Sequence, residues 1–366
     1  MQLSLPLVSV VVTSYNFARF LTEAVASVHA QAYPAIECIV VDDASSDDTA
    51  AVLDAVAAEW PATTVIRRET NGGQGAACRT GYEASRGPYV VFMDGDDVMG
   101  PDFVATHVYV QLSSRIHVGI TSSDIYQVVD GQVVLGTCQG VNDHIVAHAG
   151  NGAGLFRPVE PAPAGPWTLD TPGPALLDRL VHVPPGQVHW CWSHHSANMY
   201  RRDAVDLFVR SDEFSAMRIC LDAFLCTAVG HRCGGVLIDR PLSLHRVHGG
   251  NAGIRQAQLV NVRAAPPDKE LSTVALMRLV ELYVREAATV VPQLWNAGTY
   301  TALVDRLDAH LTGLGHPGVL AAAMARHHAT LVQALGQDEL TGWMERRATG
   351  GRKRRWSRPW RKRARG

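Results

Sequence analysis

An α/β fold, with a mostly parallel sheet wound in Rossmann fashion and flanked by helices, is predicted by three observations. Short continuous apolar runs recur at 7–12, 36–41, 63–67 and 89–93. The segments between them repeat their apolar residues at helical spacing. Two of the runs end in acids, Asp42-Asp43 and Asp94-Gly95-Asp96-Asp97, at the strand ends where open α/β sheets bind ligands.

Leu7 to Val12 lacks polar alternation, as a strand buried on both faces should. Phe20, Leu21, Ala24, Val25 and Val28 then line one face of a helix. After the second strand, Ser45, Ser46 and Asp47 are helix-capping types, ahead of an apolar stripe at Val52, Leu53 and Val56. Residues 63–67 form a third, weaker strand. Asn71-Gly72-Gly73-Gln74-Gly75 is a loop entering a helix that runs to Ser85; Gly87-Pro88 ends it before the fourth strand, Tyr89 to Met93. This alternation argues for βαβ units.

Beyond residue 100 the rhythm changes. A helix is expected at 104–113, strands at 117–121 and 125–135, and a Pro-rich loop region at 140–190. Strand and helix signals resume from Asn198 to Ile238, and several helices follow over 268–346. The expected division is a catalytic domain at 1–255, with a nucleotide-binding half at 1–105 and an acceptor half at 106–255. A helical region at 256–345 and a basic, disordered tail at 346–366 complete it.

A chain of 366 residues can bury a full core. It has no apolar run of about 18 residues, so no membrane-spanning helix is expected. The first residues lack a basic segment of the signal-peptide kind, which predicts a cytoplasmic location. Seven cysteines without a C-x-x-C pair read as reduced thiols. Cys191 with His194 and His195 lacks the second ligand pair of a structural zinc site.

Charge is distributed unevenly. Arg346 to Gly366 holds eleven of the 33 basic residues and no acid, leaving a body with 22 basic and 35 acidic residues, net −13. Trp356 and Trp360 lie within this tail. Such a segment suits an anionic membrane surface, here the inner face of the plasma membrane. Nucleic acid would attract it too but is the less favoured partner, and a merely solvated tail stays open.

Carboxylates crowded at a strand end need a positive neighbour, and a divalent cation carrying a phosphate is the usual one. That reasoning points to a nucleotide-sugar site. The segments Val10-Val11-Val12-Thr13-Ser14-Tyr15-Asn16, Val28 to Pro34, Glu37 to Asp47, Asn71-Gly72-Gly73 and Met93 to Asp97 carry a further likeness. In this order they closely resemble the family 2 glycosyltransferases of the GT-A fold. The resemblance runs over residues 7–105 and resumes over 196–251.

The resemblance implies that Thr13, Tyr15 and Asp43 hold the base and ribose. Asp94 would reach the ribose side, and Asp96 would ligate Mn²⁺ or Mg²⁺ on the diphosphate. Leu244 to Asn251 resembles the family's closing Y-R-x-H-x-x-N/S motif, with His245 in place of Tyr. His248 would then complete the metal shell or contact the diphosphate, and Arg246 would pair with phosphate. Asp222 matches the family's general base, although Leu221 replaces the preceding acid; Asp212 and Glu213 are alternates. Arg79 falls one place late against the family's A-R-N-x-G pattern and could still face the nucleotide. Ser196, Asn198, Arg201 and Arg202 match positions lining the acceptor side.

The implied activity is inverting transfer of a sugar from a nucleoside-diphosphate sugar, UDP foremost, to a hydroxyl on a glycan, lipid-linked or secondary-metabolite acceptor. The thinned base motif and His245 leave open a protein that binds nucleotide sugar without catalysis. Nucleotidyltransferase chemistry is disfavoured because Thr13 to Phe17 is not a glycine-rich basic loop.

Overall fold

The computed structural model describes residues 4–159, 167, 169, 172, 175–251 and 269–349. Strand β1 (Val8–Ser14) is buried along its whole length, the polar Ser9, Thr13 and Ser14 included. Helix α1 (Ala18–His29) buries Leu21, Ala24, Val25 and Val28, but Phe20 turns out of that face. Next come β2 (Ile36–Asp42), α2 (Thr49–Glu59), β3 (Thr64–Arg67), α3 (Gln74–Ala84) and β4 (Tyr89–Asp94). Asp47 precedes α2 as the sequence suggests; its carboxylate accepts from Thr49 N (3.1 Å) and from Ala18 N (3.1 Å), so it ties α1 to α2.

A short β5 (Val98–Met99) and α4 (Phe103–Ser113) precede β6 (Ile120–Val129) and β7 (Gln132–Leu135). The two expected strands at 117–121 and 125–135 are thus divided differently. One long strand turns at Asp130-Gly131, where φ values of 47° and 78° and the Val129–Gln132 pairing make a two-residue hairpin turn. The region expected to be loop-rich holds α5 (Gln139–His148), α6 (Ala175–Asp178) and β8 (Leu180–Val183). Buried Asp124 on β6 accepts from Cys138 N (2.6 Å), anchoring the start of α5. Next are β9 (Asn198–Arg201), α7 (Arg202–Val209), α8 (Asp212–Ser215), α9 (Leu221–Cys233) and β10 (Gly235–Arg246). The remaining helices are α10 (Lys269–Arg285), α11 (Ala287–Val290), α12 (Ala297–Gly313), α13 (Val319–Arg326), α14 (His328–Leu335) and α15 (Gln337–Ala348).

The sheet order is β3-β2-β1-β4-β9-β6-β10-β5, with β7 on β6 and β8 on β10. Strands β3, β2, β1 and β4 are parallel, as in βαβ windings. Beyond them β9 runs antiparallel between β4 and β6, while β10 is parallel to β6. The ladder of β10 slips around Pro241, which has no N–H to offer. Before the slip β10 pairs with β8; after it, Ser243 and Leu244 pair with β5. This second half carries the chain to the end of β4.

One face of the sheet packs in a continuous apolar core with α3, α7, α9 and the helices from α10 onward. Polar ties cross the same boundary: His231 Nε2 on α9 bonds to the Leu303 carbonyl on α12 (2.9 Å). Arg347 on α15 pairs with Asp308 (2.5 Å) and with Asp305, whose carboxylate also accepts from Trp343 Nε1 (3.1 Å). Arg346 and Arg347 therefore belong to a packed helix, not to the tail expected from residue 346. From Gly350 on, the tail, with Trp356 and Trp360, lies outside the described residues, as do 252–268. Among the described residues no helix is long and apolar enough to cross a membrane.

Burial lowers three histidines: His107 to about 3, and His195 and His231 to about 4. In the unfolded chain such groups bind protons near pH 6.5. The unfolded state therefore holds more protons between about pH 6.5 and 4, and stability falls as pH drops through that window. Above it, stability no longer depends on these groups. Their contribution to the melting temperature is expected to be smaller at pH 5 than at pH 7.5. His107→Gln should lose less over that interval than the parent, measured by thermal scans at both pH values.

Candidate active site

Asp94 closes β4, and Asp96 and Asp97 follow in the turn before β5. The turn is set by the backbone: Gly95 N bonds to the Thr13 carbonyl (2.8 Å), and Asp97 N to the Asp94 carbonyl (3.1 Å). Ligand oxygens of the three carboxylates lie within 4.8 Å of one another. Asp96 and Asp97 are almost fully buried, at 5% and 1% exposure. Burial, then the charges of Asp96 and Asp97, push the Asp94 carboxyl well above the ordinary range. Asp96 is also raised, chiefly by burial and against the pull of His248. Burial opposes charge on Asp97 as well, but His245, Ser196 and the Arg246 N–H prevail and hold it below the usual value.

The segment after β10 lies over this cluster. His245 Nδ1 reaches Asp97 (3.1 Å), and Arg246 N donates to the same oxygen (3.2 Å). His248 Nε2 bonds to Asp96 (2.9 Å), and Asn251 Nδ2 donates to the same oxygen (3.3 Å). Phe20, the residue that left the core face of α1, packs on His248 at 4.7 Å. It also lies under the Arg246 guanidinium, 5.2 Å away, which pairs with Glu23 at 2.5 Å. His245 Nε2 is buried without a hydrogen-bond partner.

At the neighbouring strand ends, Asp43 is buried and accepts from Gly72 N (3.0 Å), Gly73 N (2.7 Å) and Arg68. Thr13 is buried at the end of β1, and Tyr15 is 45% exposed at the tip beyond it. That tip is fastened to the β2 loop through Asn16, whose N–H donates to Ser45 Oγ (2.9 Å) and whose Oδ1 accepts from Ser46 N (2.8 Å). Thr13, Tyr15, Asp43, Asp94 and Asp96 thus share one edge of the sheet, and Arg246 and His248 come to it from β10.

Asp222 stands in the first turn of α9, within electrostatic reach of Asp94, His194 and His195. Of its alternates, Glu213 pairs with Arg285 through Nη2 (2.9 Å), and exposed Asp212 lies 3.8 Å from Arg79. Arg79 is not brought to the cluster. It pairs with Glu83 (2.9 Å) and reaches Ser215 (3.2 Å), because one residue turns a helix by about 100°. It is Cys78, one place earlier, that faces inward, 3.6 Å from His195. Arg201 and Arg202 are also elsewhere: Arg201 sits opposite Tyr89 at the start of β4, and Arg202 bonds to Gly87 O (2.6 Å). Ser196 does belong to the site, since its Oγ accepts from Asp94 N (3.0 Å). Asn198 bonds to the His194 carbonyl (2.8 Å) and supports the loop beneath it.

Three members escape the sequence reading of the site. Asn251 stood at the end of the closing motif but was given no role. His194 stacks on His245 at 4.7 Å; burial disfavours its proton, yet Cys138, Asp222 and Asp97 raise it to about 9. Gln74 bonds to Asp94 (2.8 Å) from the glycine-rich loop. Only Asn251 had a sequence signal, its spacing from His248. The donor set suits a hard divalent cation: oxygens of Asp94, Asp96 and Asp97 converge, burial and then their crowding keep Asp94 and Asp96 reluctant to ionise, and His248 adjoins.

Residues 9–132 match the sequence model described as Glycosyl transferase family 2. An uncharacterized glycosyltransferase of Nostoc sp. is 27% identical over 283 residues, covering 76% of this chain and 74% of that protein. The succinoglycan biosynthesis protein ExoO of Rhizobium meliloti is 37% identical over 97 residues, 26% of this chain and 27% of that one. Among solved structures, a mannosyltransferase from Pyrobaculum calidifontis in complex with GDP-Man and Mn²⁺ has a TM-score of 0.46 at 16% identity. That alignment covers 94% of this chain and 81% of the other. The matched family segment contains β1 to β4 and the acidic turn, whereas Asp222, Arg246 and His248 lie beyond it. Residues 9–132 thus match the family 2 glycosyltransferase segment, in a chain similar over about three quarters of its length to a protein named a glycosyltransferase.

Proposed function

We propose that the protein is an inverting glycosyltransferase that moves a sugar from a nucleoside-diphosphate sugar, UDP foremost, to a hydroxyl of a glycan or lipid-linked acceptor. The observation that carries this reading is the convergence of Asp94, Asp96 and Asp97 at the end of β4, with Asp222 near enough for its charge to raise the Asp94 carboxyl. In one displacement Asp222 takes the proton of the acceptor hydroxyl while that oxygen attacks the anomeric carbon. The bond from that carbon to the diphosphate oxygen breaks, and its electron pair leaves with the nucleoside diphosphate. Thr13, Tyr15 and Asp43 hold the base and ribose: an aromatic face stacks a base, and a carboxylate accepts from an imide N–H or a hydroxyl. Asp94 accepts from the ribose side, and Arg246 pairs with phosphate.

Asp96 and His248 would hold Mn²⁺ or Mg²⁺, with Asp94 and Asp97 adjoining. When bound, such an ion supplies Lewis-acid stabilisation of the departing diphosphate. A glycan acceptor is supported by the relative named for succinoglycan biosynthesis. The division into a catalytic domain at 1–255 and a helical region after it is proposed on the same basis, with the helices fixed to the sheet by the shared core. Association of the tail with the inner face of the plasma membrane belongs to this proposal too.

Thermal shift against UDP-, GDP-, dTDP- and CMP-sugars, with Mn²⁺ or EDTA, tests the donor site. One nucleotide family should raise the melting temperature in a metal-dependent way. Asp96→Ala should abolish that response, and no shift with any donor would count against the site. With donor and acceptor in hand, Asp222→Asn should lower kcat by about 10²–10⁴-fold, the usual loss of a general base. Unchanged turnover would remove Asp222 from that role.

A further inference from the structure

We propose that Gln74 is a positioning residue that sets the place of Asp222 relative to the donor-side acids. This rests on the reading of Asp222 as the base. Leu221 is the first residue of α9, so its N–H is one of the donors a helix start leaves without an intrahelical partner. Cys220 before it is in a left-handed conformation, φ 56°, and its side chain makes no capping bond. The cap comes instead from α3: Gln74 Oε1 accepts from Leu221 N at 3.1 Å. The other end of the same amide, Nε2, donates to Asp94 Oδ1 at 2.8 Å.

The Leu221 partner dictates which way the amide points. A backbone N–H can only donate, so Oε1 faces Leu221 and Nε2 faces Asp94. The main chain fastens the same junction: Gln74 N bonds to Arg218 O (3.0 Å), and Gly75 N to Met217 O (2.8 Å). A Cβ on Gly75 would come within 2.0 Å of the Phe214 carbonyl oxygen, so no other residue permits this approach. Gln74 therefore spans from the acid that closes β4 to the residue before Asp222. Either end alone would be an ordinary polar contact; together they make one side chain the spacer between donor and base.

Two measurements test this. The first needs no substrate: hydrogen exchange of the Leu221, Asp222 and Ala223 amides in the full chain. Gln74→Leu should speed their exchange, whereas Gln74→Glu, which can still accept from Leu221 N, should keep them protected. The second is release of nucleoside diphosphate from whichever UDP-, GDP- or dTDP-hexose the protein turns over. Gln74→Leu should cut kcat by about 10–100-fold, as a misplaced group does. The donor KM should stay within about threefold, the mark of an interaction made in the transition state. Gln74→Glu should slow turnover as well, because it sets a carboxylate against Asp94. The double variant with Asp222→Asn should be no slower than Asp222→Asn alone, since residues acting as a unit are not additive.

Parental exchange rates in Gln74→Leu would overturn the proposal, as would parental kcat or fully additive losses. Full turnover by Asp222→Asn would instead overturn the base reading, and the exchange data would still judge the cap separately.

Discussion

Three carboxylates share a space in which they cannot all be charged unaided. At about 4 Å, two unit charges repel by roughly 4 kcal/mol even at an effective dielectric of 20. The chain meets this by surrounding the cluster with donors from separate elements. Ser196 comes from the turn before β9, Gln74 from the start of α3, and His245, His248, Asn251 and a backbone N–H from the end of β10. Much of the topology serves that convergence. Strand β10 lies three places from β4 in the sheet, and it reaches the cluster because its last residues pair with β5, which continues directly from the acidic turn.

The loop from Asn71 to Gly75 has a comparable double duty on the other side. Its first glycines give their N–H groups to Asp43, at the end where a base would lie. Its next two residues dock on the 217–218 backbone, ahead of α9. Asn71 joins in at both ends: its Nδ2 donates to the Asp43 carbonyl (3.2 Å), and its Oδ1 accepts from Arg218. This glycine-rich stretch is thus an internal joint between Asp43 and the segment ahead of α9.

The fold was legible in the first hundred residues because buried parallel strands leave short apolar runs, and Val10 to Val12 and Val90 to Met93 are such runs. Legibility failed where polar residues were buried in strands. Thr121, Ser122, Ser123 and Asp124 carry no apolar signal, yet all four are buried in β6, which is why one strand read as two. The Asp130-Gly131 turn was readable as a hairpin signal and went unused. Of the residues brought together at the strand ends, Asp94, Asp96, Asp97, Asp43 and His248 were named from motif and order. Gln74 and His194 were not, because their partners are 147 and 51 residues away or are met only by stacking. Arg79 shows the converse failure: a one-residue offset, trivial in a motif, is a quarter-turn on a helix.

The slip at Pro241 divides β10 into two lengths that answer to different neighbours. The first length is registered against β8, which belongs to the proline-studded stretch between the hairpin and the turn before β9. The second is registered against β5, next to the acids. A change of length or twist on the β8 side is absorbed where the ladder is already broken. The strand works as a shaft with a flexible coupling: its β8 side can shift while the histidines at the far end keep their alignment.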